Sequence, residues 1–159
     1  MPIIELSTVI RAPRDRVFDL ARNIGAHQDS TGGTEERAIA GVTKGLMGMN
    51  DEVTWEARHF GVRQRLTVRV TAFDRPQHFR DVMLAGAFKS MVHDHEFTDH
   101  AAGTLMSDRF EFNSPFGILG TIFDRVFLAS YMRRFIARRN EVLKRLAESA
   151  EWKSYLGLP

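Results

Sequence analysis

Histidine and aspartate recur in this chain at spacings that could move a proton or hold a polar ligand. Between Phe88 and Asp99, the residues Met91, His93, His95 and Phe97 alternate along one side of a segment that reads as a β-strand. Between Gly103 and Asn113, Met106, Asp108, Phe110 and Phe112 do the same. A short turn around His100 to Gly103 joins the two segments, so they are expected to pair as a hairpin that sets Asp108 beside the histidines. A carboxylate next to an imidazole fixes its tautomer and raises its basicity. That arrangement suits a general base, or an anchor for the polar head of a ligand. Two competing readings stand beside it. Both histidines could serve only as hydrogen-bonding groups in a polar pocket floor, or a one-residue slip of register could turn them to solvent. His93 and His95 at i and i+2, with Asp108, could also ligate zinc. No second pair with ligand spacing occurs elsewhere, so neither a metal nor any other cofactor is expected, and no residue is assigned a catalytic role.

Other residues with a pocket role are apolar or neutral. Gln64 interrupts an apolar face between Val62 and Leu66, and a buried amide needs partners. Trp55, Phe97, Met106 and Phe110, with Phe123 and Phe127 from the C-terminal third, are expected to line the same pocket, although large side chains of this kind often serve only the core. His27, His59, His78 and His100 lie in or next to predicted loops or strand ends and read as surface groups. The glycines of Gly41 to Asp51 do not follow a phosphate-binding pattern. A hairpin near a cavity mouth, with Leu46 to Met49 as an apolar tip, is the better reading. No nucleophile elbow or Ser-His-Asp arrangement is evident.

These residues need a scaffold, and hydrophobic periodicity supplies one. Ile3 to Arg11 reads as a first strand with Ile4, Leu6, Thr8 and Ile10 on one face. Pro13 starts a helix with Val17, Phe18, Leu20, Ala21 and Ile24 at helical spacing, ended by Gly25, and a short helical turn can follow it. Six strand candidates come next: Glu36–Ala40, Asn50–Phe60, Val62–Phe73, Gln77–Leu84, Phe88–Asp99 and Gly103–Asn113. Their short connections predict an antiparallel meander. From Ser114 onward, with Pro115 at the first helical position, apolar residues recur at i, i+3, i+4 and i+7 to beyond Leu146, which predicts one amphipathic helix of roughly 50 Å. Its polar face carries Arg133, Arg134, Arg138, Arg139, Lys144 and Arg145, read as solvated. The expected fold is α+β: a curved antiparallel sheet of six to seven strands wrapped around a long C-terminal helix, with one or two short helices after the first strand. A sheet and a helix that bury their apolar faces against each other can leave a small-molecule cavity between them.

Composition agrees with one domain over residues 1–159. The chain has 43% hydrophobic and 26% charged residues, a net charge of +2 and no cysteine, which excludes disulfides, thiolate metal sites and cysteine nucleophiles. The basic residues are spread out rather than gathered into a nucleic-acid footprint, so no nucleic-acid partner is expected. No apolar run is long enough to span a membrane and no export signal opens the chain, which favours the cytoplasm.

Several stretches carry a resemblance. Ile10-Arg11-Ala12-Pro13 followed by Val17-Phe18 looks like the strand-to-helix entry of the SRPBCC superfamily, which includes START lipid-transfer domains and polyketide cyclases. Val53-Thr54-Trp55-Glu56-Ala57-Arg58-His59-Phe60-Gly61, Phe88 to Phe97, and Gly103 to Asp108 running on to Ser114-Pro115-Phe116-Gly117 resemble a bacterial subgroup of small ligand-binding or cyclase-like members. The resemblance implies the helix-grip fold. It also implies binding of a hydrophobic or amphipathic small molecule, such as a lipid or an aromatic compound, between the sheet and the C-terminal helix. The alternative it implies is a polyketide cyclase or dehydratase using a pocket histidine for proton transfer. Transient membrane contact through the Leu46 to Met49 tip and the basic helix face is a third reading.

Overall fold

The structure, a computed structural model, describes residues 1–114 and 127–158. Strand β1 (Ile3–Ile10) leads into helices α1 (Arg14–Ala21) and α2 (Ile24–Ser30) and a 3-10 turn at Gly32–Thr34. Six strands follow: β2 (Arg37–Gly41), β3 (Glu52–His59), β4 (Val62–Asp74), β5 (His78–Ala85), β6 (Ser90–His100) and β7 (Gly103–Asn113). Helix α3 (Ala129–Glu148) and the short α4 (Trp152–Tyr155) close the chain. All seven strands form one antiparallel sheet in the order β1-β7-β6-β5-β4-β3-β2, the predicted meander with β1 added at its far edge. The fold is the expected helix-grip arrangement, with the sheet curved around α3.

Alternation sets the sheet's two faces. Val53, Trp55, Ala57, Val68 and Val70 are buried toward the helices, while Arg63, Arg65 and Arg69 face outward. The outer face has its own polar cover. Glu56 lies beneath Arg37, Arg63 and Arg65, whose hydrogen bonds bring its carboxyl down to about 2. The β3–β4 connection is the two-residue turn Phe60–Gly61, both with positive φ, which suits the twist of a tight hairpin.

Phe18 anchors α1. It is fully buried and meets Phe73, Phe79 and Phe97 edge-on at 5.2–5.5 Å. Gly25 does not end this helix. Asn23 instead caps a second one by accepting from the Ala26 N–H at 2.9 Å, and Gly25 lies within α2, where the Tyr155 ring packs 3.6 Å from where a Cβ would be. The Gly41 to Asp51 segment is tied down at its centre. Leu46 bridges to Asn23, and Met47 is buried with its N–H bonded to the Arg22 carbonyl.

Helix α3 runs about 30 Å over its described residues. Pro115, the expected first helical position, and the pocket residue Phe123 lie outside the described residues. The buried stripe of α3 comprises Met132, Ile136, Arg139, Asn140, Leu143, Leu146 and Ala147. Arg139 is thus not on the solvated face with Arg133, Arg134 and Arg138. It falls three residues after Ile136 and four before Leu143, which places it on the apolar stripe. Among the described residues no helix is long and apolar enough to cross a membrane.

Candidate functional site

Between the concave sheet face and α3 lies a cavity of about 310 Å³. Its walls are mostly apolar, with Val53, Leu66, Val70, Met91, Phe110 and Ile136 among them. Polar side chains enter it in two groups, one on β5 and β6 facing the middle of α3, the other around α2, the end of β3 and the start of α3.

The first group forms on the predicted hairpin. His95 pairs directly with Asp108 across β6 and β7, and His93 pairs with Phe110 on one side and Asp81 of β5 on the other. All three strands point these side chains the same way, toward α3. Asp108 is their hub. Its Oδ1 lies 2.8 Å from His93 Nε2 and 3.2 Å from His95 Nδ1, and its Oδ2 accepts from Asn140 Nδ2 at 2.6 Å. Arg139 Nη1 stands 3.6 Å from the same Oδ1. His95 bonds Asp81 through Nε2 at 3.2 Å, and its ring stacks on Phe79.

Electrostatics separate the two histidines. Burial pushes the pKa of His95 down, but the carboxylates of Asp108 and Asp81 on its two nitrogens more than offset this and raise it. Burial and the adjacent His95 lower His93 to about 4, against the pull of Asp108. Burial alone would raise Asp108; His93 and His95 instead hold it well below the usual carboxylate range. Asp81 is lowered in the same way by His95. The group therefore sets two carboxylates and a guanidinium around a histidine whose charged form is favoured, His95, and one that is neutral at neutral pH, His93. With Nε2 of His93 donating to Asp108, its Nδ1 carries the lone pair.

His93, His95 and Asp108 could each offer one atom to a metal, and those atoms lie within 4.8 Å of one another. The Arg139 guanidinium beside Asp108 counts against a cation there, because charge is already balanced and Asp108 is taken up by hydrogen bonds.

Apart from Trp55, the second group escaped the sequence reading. His27 stacks on Trp55 at 4.1 Å and meets Glu36 Oε1 through Nε2 at 3.2 Å. His59 Nδ1 lies 2.6 Å from the Tyr131 hydroxyl, and burial lowers its pKa. All five side chains line the cavity, so His27 and His59 are not surface groups. By contrast, His78 sits on the outer face, bonded to Asp94, and His100 is exposed.

Of the residues expected to line the pocket, His93, His95, Gln64, Trp55 and Phe110 do so. Asp108 does not reach the cavity surface; it sits wholly buried behind the histidines. Phe97 and Met106 are also corrected. They share the predicted face but lie farther along the hairpin, where α1 rather than the cavity covers the sheet, and Phe97 packs on Phe18. Phe127 is 64% exposed at the start of the helix and is not part of the lining. Asp81 and Arg139 were missed, although Asp81 shares the face of Phe79 by simple alternation.

The family model described as polyketide cyclase / dehydrase and lipid transport matches residues 1–148. Solved structures with the same fold include the protein TTHA0849 from Thermus thermophilus, at 19% identity and a TM-score of 0.75 over 91% of this chain and 95% of that one. A START superfamily protein from Mycobacterium smegmatis aligns at 11% identity and a TM-score of 0.70, covering 92% and 97%. Ginseng major latex-like protein 151 from Panax ginseng does so at 13% and 0.69, covering 93% and 98%. No curated protein matches the sequence.

Proposed function

The chain belongs to the polyketide cyclase/dehydrase and lipid transport family, and from that premise we propose that it binds a hydrophobic or amphipathic small molecule between the sheet and α3. The observation that carries this reading is the mostly apolar cavity of about 310 Å³ with polar groups entering it at two places. Burial of apolar surface supplies affinity. His93 Nδ1 offers an acceptor, and Arg139 Nη1, buried without a hydrogen-bond partner in the protein, offers a donor. A hydroxyl on the ligand satisfies both, donating to His93 Nδ1 and accepting from Arg139 Nη1, whereas a carbonyl meets only the arginine. Native mass spectrometry followed by solvent extraction tests the proposal. A bound organic molecule of defined mass, or calorimetric binding of simple alkyl alcohols, is the expected result. An empty protein that takes up no apolar probe refutes it.

A second reading has one specific observation behind it. His95 has a carboxylate oxygen 3.2 Å from each nitrogen, whereas His93 is neutral and keeps one nitrogen out of the Asp108 bond. In a cyclase or dehydratase, His93 rather than His95 would then take the proton at Nδ1, with Asp108 stabilising the imidazolium formed. This reading expects turnover of aromatic carbonyl precursors that is lost in His93→Ala. Binding without product across such a panel removes it.

A further inference from the structure

Glu36 is the unusual group in the second polar cluster. Its side chain is only 8% exposed, yet Oε2 has no well-aligned hydrogen bond in the protein: the neighbouring Thr31 hydroxyl is directed to the His27 and Gln28 carbonyls. Oε1 is taken by His27. Burial pushes the carboxyl up, but His27 more than offsets this, so the group is lowered and stays charged at neutral pH. A buried anion with an unmet oxygen is costly unless something donates to it. The guanidinium groups at the cavity are placed elsewhere: Arg22 pairs with Asp19 and Arg139 stands beside Asp108.

The surroundings favour a positive donor. Trp55 stacks on the His27 ring, and Tyr131, bonded to His59, lies against Phe60 and Phe135. Glu36 acts electrostatically on both His59 and Tyr131, so these groups form one site. A charged carboxylate in a cavity also lined by Trp55 and Tyr131 attracts a cationic nitrogen more than a neutral hydroxyl. From Tyr131 to Arg139 is eight residues of α3, or about 12 Å, which separates this site from the His93 group.

We infer that Glu36, Trp55 and Tyr131 form a subsite for a protonated amine, so that the ligand is an amphipathic amine. This rests on the cavity being a ligand site. The nitrogen donates to Glu36 Oε2, and the apolar body runs along α3 toward His93.

Calorimetric titration at neutral pH with octylamine, octanol and octanoate tests it. The expected result is octylamine binding about tenfold more tightly than octanol, with octanoate weakest. In Glu36→Gln the amine-to-alcohol ratio should fall to near one, and in Glu36→Asp, which keeps the charge, it should survive. Because the ratio is taken within each variant, a general loss of affinity does not mimic the effect. Should Glu36→Gln fail to fold, the wild-type ratio decides alone. Octanol binding without preference for the amine, or a preference that persists in Glu36→Gln, overturns the subsite and leaves the cavity reading intact. No binding by any of the three overturns both.

Discussion

Replacing Asp108 with asparagine keeps its shape and removes one charge from the most densely bonded point in the protein. The carboxylate serves His93, His95 and Asn140 at 2.6–3.2 Å and stands 3.6 Å from Arg139, with its side chain fully buried. In Asp108→Asn, His95 keeps Asp81, but Arg139 retains only a 3.5 Å bond to the Ala21 carbonyl. An amide set against the His93 Nε2–H also risks opposing two donors. Breaking a buried ion pair from one side costs about 3–5 kcal/mol. His95 can relieve part of this by releasing its proton, so a loss of about 3 kcal/mol is expected, a large share of a typical total stability of about 5–15 kcal/mol. Urea unfolding at neutral pH should show a lower midpoint with an unchanged slope. The pH profile gives a second readout. His95 is raised in the folded state, so its contribution is complete below about 6.5 and is lost as pH rises through its folded value. Without Asp108 that alkaline decline should flatten. A loss under about 1 kcal/mol with an unaltered profile would refute the claim that Asp108 organises the site.

Other outcomes follow from named contacts. In the wild type, His93 and His59 are lowered, so their contributions are complete above about 6.5 and fade as pH falls, for His93 toward about 4. Together with His95, this places maximum stability near pH 6.5, which thermal unfolding across a buffer series checks. Phe18→Ala should cost about 3–5 kcal/mol in urea titration, since it empties the centre of a four-ring cluster. Gly103→Ala should cost more than about 2 kcal/mol by the same assay: φ is +142°, and a Cβ would lie 2.4 Å from the Ile10 carbonyl oxygen.

The fold was readable because its signals are local. Alternation in Val62 to Val70 and the turn at His100 to Gly103 specify strands and their partner faces, and β7 begins and ends where expected. The hairpin that pairs His95 with Asp108 came from the same logic. What escaped depends on tertiary placement. Alternation assigns Phe97 and His93 to one face but cannot say that α1 covers the first while the cavity opens at the second. Arg139 was masked by its charge, although its spacing from Ile136 and Leu143 marked it as inward-facing. Glu36 and His27 carry no periodic signal at all. They meet because α2 lays His27 across Trp55 of β3.

Strands β1 and β2 are separated only by the two short helices in sequence, yet they occupy opposite edges of the sheet. The meander from β2 to β7 can therefore zip through short hairpins, while β1 must pair with β7 across about a hundred residues, Ile3 against Glu111. Each doubling of a closing loop costs about 0.6 kcal/mol, so this step is about 3 kcal/mol harder in entropy than closing a hairpin. Helix α3 is tied to that same strand, since Arg133 and Lys144 donate to the carbonyls of Glu5 and Val9. Edge strand and helix thus seat together and late. On this reasoning the helical wall of the cavity is expected to be the final part of the molecule to assemble, and loosening it is the change that would open the cavity to solvent.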